Sequence, residues 1–212
     1  MIRMTEFKSQ FGQDEILISM LRRKTKGFFV ELGAGNGVDL SNSYCFEKSL
    51  GWTGLLVEPN PSLYAELVKN RDCFTSDKLC GDVEGVEVDF LLAGVLSGVI
   101  SASPGYWIKQ NIGNPKIKMK TTLLSKILDE FNCPKKMDFL SLDVEGEEFN
   151  ILRTFPFNIY SFDVICVEHN SGWDGPENRG RIHYLLTHNG YSFDRDGGID
   201  DFFRRDGFSG NI

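Results

Sequence analysis

The chain has 212 residues, 41% of them hydrophobic and 25% charged, which is typical of a soluble protein able to bury one full core. Its formal net charge of −7 argues against non-specific binding to nucleic acid or acidic membranes, since both need basic surfaces. Five scattered cysteines without a C-x-x-C pair favour reduced thiols and a cytoplasmic location. We expect neither a membrane span, which needs ~20 apolar residues, nor a signal peptide.

Residues 1–26 precede the first predicted strand. The apolar spacing within Glu15–Leu21 predicts a helix with Asp14 near its cap. We expect this segment to cover one edge of a sheet. In the alternative interpretation, Gln10 or Gln13 closes over a bound ligand.

The apolar run Phe28–Leu32 predicts a buried parallel strand, and Gly33, Gly35 and Gly37 follow it directly. Glycines at this point allow a sharp turn and the close approach of a ligand to the backbone. A helix should come next, with Ser41 or Ser43 as its cap. Strand, glycine turn and helix together form half of a nucleotide-binding α/β fold.

The spacing of the glycines indicates the class of nucleotide. A dinucleotide fingerprint needs a third glycine three residues after Gly35, where this chain has Val38, and this disfavours a nicotinamide-dependent oxidoreductase. The pattern Glu31-x-Gly-x-Gly-x-Gly resembles instead motif I of S-adenosylmethionine (SAM) methyltransferases. Glu58 ends the next apolar run, and a carboxylate at the end of the second strand can accept both ribose hydroxyls.

Pro59-Asn60-Pro61 predicts a helix start with Asn60 as the cap. A weaker strand is expected near residues 78–80, closing at Gly81-Asp82. Asp82 either holds the adenine amino group or has a local role in the turn. Residues 86–93 predict a further strand or hairpin arm.

Residues 94–120 form the least regular stretch, with the aromatic pair Tyr106-Trp107 and a basic run of Lys116, Lys118 and Lys120. Long loops inside compact domains are usually functional or mobile. We interpret the stretch as a lid on the acceptor side of the site. The alternative is a disordered surface insertion.

The second half of the chain alternates predicted strands and helices. Thr121-Thr122 is expected to cap a helix whose apolar face extends to Phe131. Buried strands are predicted over Met137–Asp143 and Phe162–Glu168, and each ends in an acid. The remaining expected elements are a helix from residue 148, a helix over Arg179–Asn189 ended by Gly190, and a closing hairpin of Tyr191–Phe193 with Asp201–Phe203.

Several of these segments together resemble the FkbM-type methyltransferases over nearly the whole chain. The most specific is the Asp-Val-Glu-Gly-x-Glu run of Asp143–Glu148; the others are Ser9–Asp14, Val30–Gly37, Leu40–Tyr44, Glu58–Pro61, Asp138–Leu142 and Val167–His169. The resemblance implies a class I Rossmann-like α/β fold, with a mostly parallel seven-stranded twisted sheet, helices on both faces and a C-terminal antiparallel hairpin. It also implies SAM as cofactor and O-methylation of sugars, polyketides or similar metabolites. We expect one domain over residues 1–212.

The predicted cofactor contacts lie at the carboxyl ends of the first strands, where ligands bind in doubly wound sheets. They are Gln13, Glu31, Gly33, Ala34, Gly35, Asn36, Ser41, Asn42, Glu58, Pro59 and Asp82. The acceptor is expected to be a sugar, a glycoconjugate or another small molecule, with no nucleic acid as partner. A polyketide or lipid acceptor without metal, and a SAM-binding domain without catalysis, are the alternatives.

A sugar hydroxyl has a high pKa, so the enzyme needs a base, a metal ion or both. Asp143, Glu168 and His169 offer ligands for Mg²⁺ or Mn²⁺ from two successive strands, as in the metal-dependent catechol and macrolide-sugar O-methyltransferases that this arrangement resembles. Those enzymes often have a Lys or His base where this chain has Gly146, so the base is expected to be Asp143, His169 or Glu145. Alternatively, Glu145 caps backbone amides, and the acids that follow it only favour a helix N-terminus.

Overall fold

The computed structural model describes residues 6–103, 105–111, 113–174 and 176–209. Its helices and strands alternate along most of the chain, apart from a run of strands between residues 74 and 99, the successive helices α7 and α8, and the closing pair of strands. They are α1 (Gln13–Met20), β1 (Phe28–Leu32), α2 (Tyr44–Leu50), β2 (Thr53–Val57), α3 (Pro61–Asn70), β3 (Phe74–Ser76), β4 (Leu79–Gly81), β5 (Glu87–Leu91), β6 (Gly98–Val99), α4 (Gly105–Asn111), β7 (Lys116–Leu123), α5 (Leu124–Glu130), β8 (Lys136–Leu142), α6 (Glu148–Thr154), β9 (Ser161–Glu168), α7 (Ser171–Asp174), α8 (Glu177–His188), β10 (Tyr191–Asp196) and β11 (Asp200–Arg205).

The main sheet has seven strands in the order β10-β11-β9-β8-β1-β2-β3. Strands β9, β8, β1, β2 and β3 are parallel, whereas β11 runs antiparallel to both β9 and β10. This arrangement confirms the predicted Rossmann-like sheet and its C-terminal hairpin. The carboxyl ends of β2, β1, β8 and β9 therefore lie side by side at one edge of the sheet.

Successive side chains of each strand point to opposite sides of the sheet, and helices cover both sides. Val30 and Leu32 of β1 belong to an apolar cluster that includes residues of α5, α6 and α8. Phe29, which precedes Val30 and points to the other face, packs in a second cluster with residues of α1 and α2. The predicted helix near the N-terminus therefore covers one face of the sheet, and the expectation that it covers an edge is wrong, because its apolar side chains pack on the central strands. No helix in the described ranges has the length and apolar character needed to cross a membrane.

A second sheet of four strands has the order β4-β7-β5-β6. The strand expected near residues 78–80 is present as β4, but it pairs with β7 in this second sheet. The edge position of the main sheet beside β2 is taken by β3, which starts at the exposed Phe74 and shows no apolar run in the sequence.

The stretch 94–120 is more regular than the sequence predicts, since it contains a short 3₁₀ turn, β6, α4 and most of β7. Its basic run lies on one exposed face of β7, where Lys118 pairs with Asp89 of β5 at 3.0 Å and Lys120 lies opposite Glu87. Acidic residues on β5 thus offset the basic run.

The expected capping role of Thr121-Thr122 is wrong. Both residues continue β7, opposite Leu79 and Cys80 of β4, and Leu123 precedes the first residue of α5. Thr121 Oγ1 also donates to the carbonyls of Val83 and Val86, so its hydroxyl holds the preceding loop and does not cap the helix. A β-branched residue packs well in a strand, which agrees with this outcome.

Candidate cofactor and active site

The glycine turn after β1 lies directly against the end of β8. The amide of Gly33 donates to the carbonyl of Val57 at 3.0 Å, and the amide of Asp143 donates to the carbonyl of Leu32 at 3.2 Å. A Cβ atom placed on Gly33 would lie 1.7 Å from the carbonyl oxygen of Asp143, and the backbone φ there is +79°. Only glycine fits this position.

Glu58 holds the middle of the glycine turn. Its Oε2 accepts from the amide of Gly35 and its Oε1 from the amide of Asn60, both at 2.8 Å. Burial raises the pKa of Glu58 to about 7, although the two amide hydrogen bonds favour the charged form. A Cβ atom placed on the buried Gly35 would meet no atom within 4 Å, so open space remains beside its backbone. A ligand can approach the backbone in that space.

Glu31 organises the loop between β1 and α2. Its carboxylate accepts from the amide of Asn42 at 2.7 Å and from the hydroxyls of Ser41, at 3.0 Å, and Ser43. Burial raises the pKa of Glu31, and the buried Arg71 opposes this while donating to both serine hydroxyls. The polar atoms of Glu31 and Ser41 are thus engaged within the protein, where they shape the loop.

Asn42 is positioned differently, because half of its amide remains without a partner. Its Nδ2 donates to Ser141 Oγ at 2.8 Å, whereas its Oδ1 is buried without a hydrogen bond from any described residue. Asn36 accepts from the amides of Val38 and Asp39, and forms a local turn at the loop surface. Of these two asparagines, only Asn42 has a buried oxygen still to be satisfied.

Two other predicted cofactor contacts have protein partners. Gln13 Nε2 donates to Asp200 Oδ2 at 2.7 Å, which joins α1 to β11, and burial raises the pKa of Asp200 to about 6. Asp82 forms an ion pair with Arg153 of α6. The structure therefore places Gln13 and Asp82 in contacts between elements of the protein.

A cleft of about 500 Å³, counted with its open mouth, lies between the carboxyl edge of the main sheet and the second sheet. Its walls include Gly33, Glu58, Pro59, Asp143 and Glu145 from the predicted site. The opposite wall is formed by residues of the second sheet and of the turn before β6, namely Leu79, Cys80, Phe90, Gly94, Val95, Ser97 and Val99. The cleft has an acidic side at the strand ends and an apolar side at the second sheet.

Three carboxylates meet beside the acidic side of the cleft, which Asp143 lines. One oxygen from each of Asp143, Glu148 and Glu168 lies within 4.8 Å of the others. Glu148 accepts from the amides of Val144, at 2.9 Å, and Gly146, at 3.1 Å, which fixes its carboxylate under the turn after β8. Burial raises the pKa of Glu148 to about 7.

The carboxyl groups of Asp143 and Glu168 are hydrogen-bonded to each other. Burial and then the charge of Asp143 raise the pKa of Glu168 far above the usual range, and burial also raises the pKa of Asp143. Burial thus favours a protonated form of this pair over two neighbouring charges. Glu168 Oε2 has no hydrogen-bond donor among the described residues.

His169 belongs to a different group, with Asp196 and Asp201. Its Nδ1 accepts from the amide of Ser171 at 3.1 Å, and its buried Nε2 lies 3.7 Å from Asp201 Oδ1. Burial lowers the pKa of His169. The structure therefore places His169 in one group of ligand atoms and Asp143 and Glu168 in another, although the three were expected to form one ligand set.

Glu148 is the residue that sequence reasoning missed. The sequence carried a usable signal, since Glu148 shares one helical face with Ile151 and Leu152, three and four residues later. All three side chains are buried in the structure. An acid on the apolar face of a helix, five residues after a strand-end acid, predicts a carboxylate buried near that strand end.

Residues 31–193 match the family model described as the methyltransferase FkbM domain. A comparison with curated proteins gave no significant match.

Two solved structures share the fold at low sequence identity. Precorrin-6y C5,15-methyltransferase from Geobacter metallireducens is 11% identical with a TM-score of 0.51, and the match covers 91% of this chain and 87% of that chain. A putative caffeoyl-CoA O-methyltransferase from Staphylococcus aureus is 10% identical with a TM-score of 0.51, and the match covers 94% and 86%. At such identities the likeness concerns the fold alone.

Proposed function

Because the chain belongs to the FkbM methyltransferase family, and is therefore a SAM-dependent methyltransferase, we propose that it methylates a hydroxyl of a sugar or glycoconjugate with the help of a divalent metal ion. The observation that carries the proposal is the position of Asp143. Asp143 follows β8 and lines the cleft, and its backbone amide donates to Leu32 just before the glycine turn. A proton acceptor thus lies beside the predicted cofactor site.

The residues around the cleft fit the cofactor. Bound SAM supplies a methyl group that is already activated as a sulfonium. Glu58 offers carboxylate oxygens to the ribose hydroxyls, and the open space at Gly35 admits the nucleoside against bare backbone. Asn42 Oδ1 is a buried acceptor without a partner among the described residues, and an ammonium group would satisfy it.

Asp143 is the base that the geometry favours. An alcohol has a pKa far above neutrality, so its proton must pass to the protein as the new carbon–oxygen bond forms. Asp143 lines the cleft, whereas Glu168 lies behind it at the end of β9. The Nδ1 lone pair of His169 is occupied by the amide of Ser171, which disfavours His169 as the base.

Metal assistance is part of the proposal because the acceptor side of the cleft presents carboxylate oxygens. Such oxygens suit hard divalent cations, which lower the pKa of a bound hydroxyl. Gly94, Val95, Ser97 and Val99 form part of the opposite wall, and this supports the expectation that the stretch 94–120 lies on the acceptor side of the site.

A methyl-transfer assay with labelled SAM tests the function. The acceptors would be a panel of vicinal-diol sugars and glycoconjugates, with polyketide and lipid alcohols beside them, each with and without EDTA. We expect label in a carbohydrate ether, loss of transfer with EDTA, and loss of transfer but not of SAM binding in Asp143→Asn. Transfer only to polyketide or lipid alcohols, undiminished by EDTA, would support the metal-independent alternative. SAM binding without transfer to any acceptor would support a non-catalytic domain.

A further inference from the structure

The three carboxylates at the acidic side of the cleft come from three different elements. Asp143 follows β8, Glu148 starts α6 and Glu168 ends β9. Glu148 is 2% exposed and Glu168 is 5% exposed, so two of the three side chains are almost fully withdrawn from water. Carboxylates buried this closely repel one another unless protons or a cation neutralise them.

The described residues supply no positive charge to this group. None of the ion pairs found in the described ranges involves Asp143, Glu148 or Glu168. Glu168 faces another carboxyl group, and its Oε2 finds no N–H or O–H donor among the described residues. Such a buried acceptor needs an explanation, and a bound ion is one of the few available.

We propose that Asp143, Glu148 and Glu168 together bind one divalent cation, with Glu148, and not His169, as the third protein ligand. The amides of Val144 and Gly146 hold the Glu148 carboxylate in place, as hydrogen-bonded neighbours commonly orient metal ligands. As the metal site of the O-methyltransferase, this site rests on the proposed function. Cation binding itself is measurable without SAM or an acceptor.

The second group of candidate ligands is already neutralised. Arg179 donates to Asp201 and to Asp196 at 2.7 Å, so a guanidinium lies where a cation would bind between those carboxylates. His183 Nε2 also lies 2.6 Å from Asp201 Oδ2. His169, Asp196 and Asp201 therefore form a structural network, and the acid group beside the cleft is the better cation site.

The donor set indicates the kind of ion. Three carboxylate oxygens without sulfur or nitrogen suit Mg²⁺, Mn²⁺ or Ca²⁺. Oxygens within 4.8 Å of one another can approach a single ion at the bond lengths of about 2.0–2.6 Å that these cations require. We therefore expect each of these cations to bind, with water or an acceptor completing the shell.

Titration of Mn²⁺ into the protein alone, followed by calorimetry and by the electron paramagnetic resonance of free Mn²⁺, tests the site. Wild type should bind one Mn²⁺ per chain, and Glu148→Gln and Asp143→Asn should bind it at least tenfold more weakly. Glu147→Gln is the matched control, because it removes one charge from the neighbouring position. It should bind Mn²⁺ like the wild type.

His169→Asn separates the two ligand sets. Retained Mn²⁺ binding is expected, whereas loss in His169→Asn with retention in Glu148→Gln would overturn the proposal. Absence of Mn²⁺, Mg²⁺ and Ca²⁺ binding to the wild type would also overturn it. Circular dichroism and SAM binding of each variant show whether it is folded, and if Glu148→Gln does not fold, Asp143→Asn decides. A wild type that binds and transfers from SAM but binds no cation would contradict the metal site and leave methyl transfer intact.

Discussion

The amide of Gly35 donates a 2.8 Å hydrogen bond to Glu58 Oε2, which joins the glycine turn after β1 to the acid after β2. The two features that resemble a SAM methyltransferase site in the sequence are thus in direct contact. The same carboxylate also accepts from the amide of Asn60 at the start of α3. The side chain of Glu58 thus sets the positions of both loops. Substitutions at Glu58 should therefore affect cofactor binding more than the fold of the C-terminal hairpin.

SAM binding should depend on pH through Glu58. The pKa of its buried carboxyl is raised to about 7 in the free protein, so the group is largely protonated below that pH. Ribose hydroxyls donate to the charged form, and binding must then release the proton. The Kd for SAM should therefore fall by up to about tenfold per pH unit as the pH rises towards 7, and level off above it.

Calorimetry between pH 5.5 and 8.5 measures this dependence. Glu58→Gln should bind more weakly at every pH and lose the slope, because Gln does not titrate. A slope in the variant equal to that of the wild type would assign the titration to another group.

The glycines of the cofactor turn should differ in what they tolerate. Gly33→Ala brings a methyl group to 1.7 Å from the Asp143 carbonyl at a φ of +79°, so it should lower the free energy of unfolding by about 3 kcal/mol or more. Gly35→Ala has open space at a φ of +55°, and should lower it by only about 1–2 kcal/mol. Urea unfolding measures both values.

Gly51 is the matched control for Gly35, since it also has a positive φ, +68°, and open space around its Cβ position, but it ends α2 away from the cleft. Gly51→Ala and Gly35→Ala should lose similar stability, whereas only Gly35→Ala should weaken SAM binding. Equal SAM affinity in the two variants would mean that no ligand uses the space at Gly35.

Low pH should weaken the contacts that Arg71 makes behind the glycine turn. Arg71 donates to the carbonyl of Gly37 and to Glu47 Oε2. Burial alone would raise the pKa of Glu47, but Arg71 and further hydrogen bonds lower it to about 2. A lowered pKa stabilises the fold above the unfolded-state value near 4.5, and this contribution is lost as the pH falls towards 2.

Glu47→Gln should accordingly lower the free energy of unfolding at pH 7 by about 1–3 kcal/mol, and the difference should shrink steadily between pH 4.5 and pH 2. Urea titrations at pH 7, 4 and 3 measure it. The exposed Glu66 on α3 is the control, and Glu66→Gln should change stability little at any of these pH values. A constant difference between wild type and Glu47→Gln across the range would contradict the assignment.

The sequence predicted the main sheet well because its strands are apolar runs that stop at an acid or a glycine, as at Glu58, Asp143 and Glu168. It predicted the second sheet poorly. The residues of β7 alternate between exposed lysines and the partly buried Ile117 and Met119, which is the period of a strand, but the lysines also read as a basic run in a loop. β3 was not predicted because its position depends on pairing with β2 and not on an apolar run.

In the candidate site, the sequence predicted well only those residues that lie at the ends of strands. Asp143 and Glu168 follow β8 and β9, and the strand order of the fold makes these two strands adjacent and parallel. The two residues therefore lie close together. His169 follows Glu168 directly, yet its ring points to Asp201 on β11, and no local pattern reveals that partner. Glu148 enters the acid group from a helix, because the turn at Gly146 folds it back towards the strand ends.

The measurement that tests the account most directly is a calorimetric titration of SAM into the wild-type protein at pH 8, with Glu58→Ala beside it. We expect one SAM per chain, and a Kd at least tenfold higher in the variant because the ribose hydroxyls lose their acceptor. Absence of SAM binding to the folded wild type, or equal affinity in Glu58→Ala, would contradict a cofactor site at the glycine turn and Glu58.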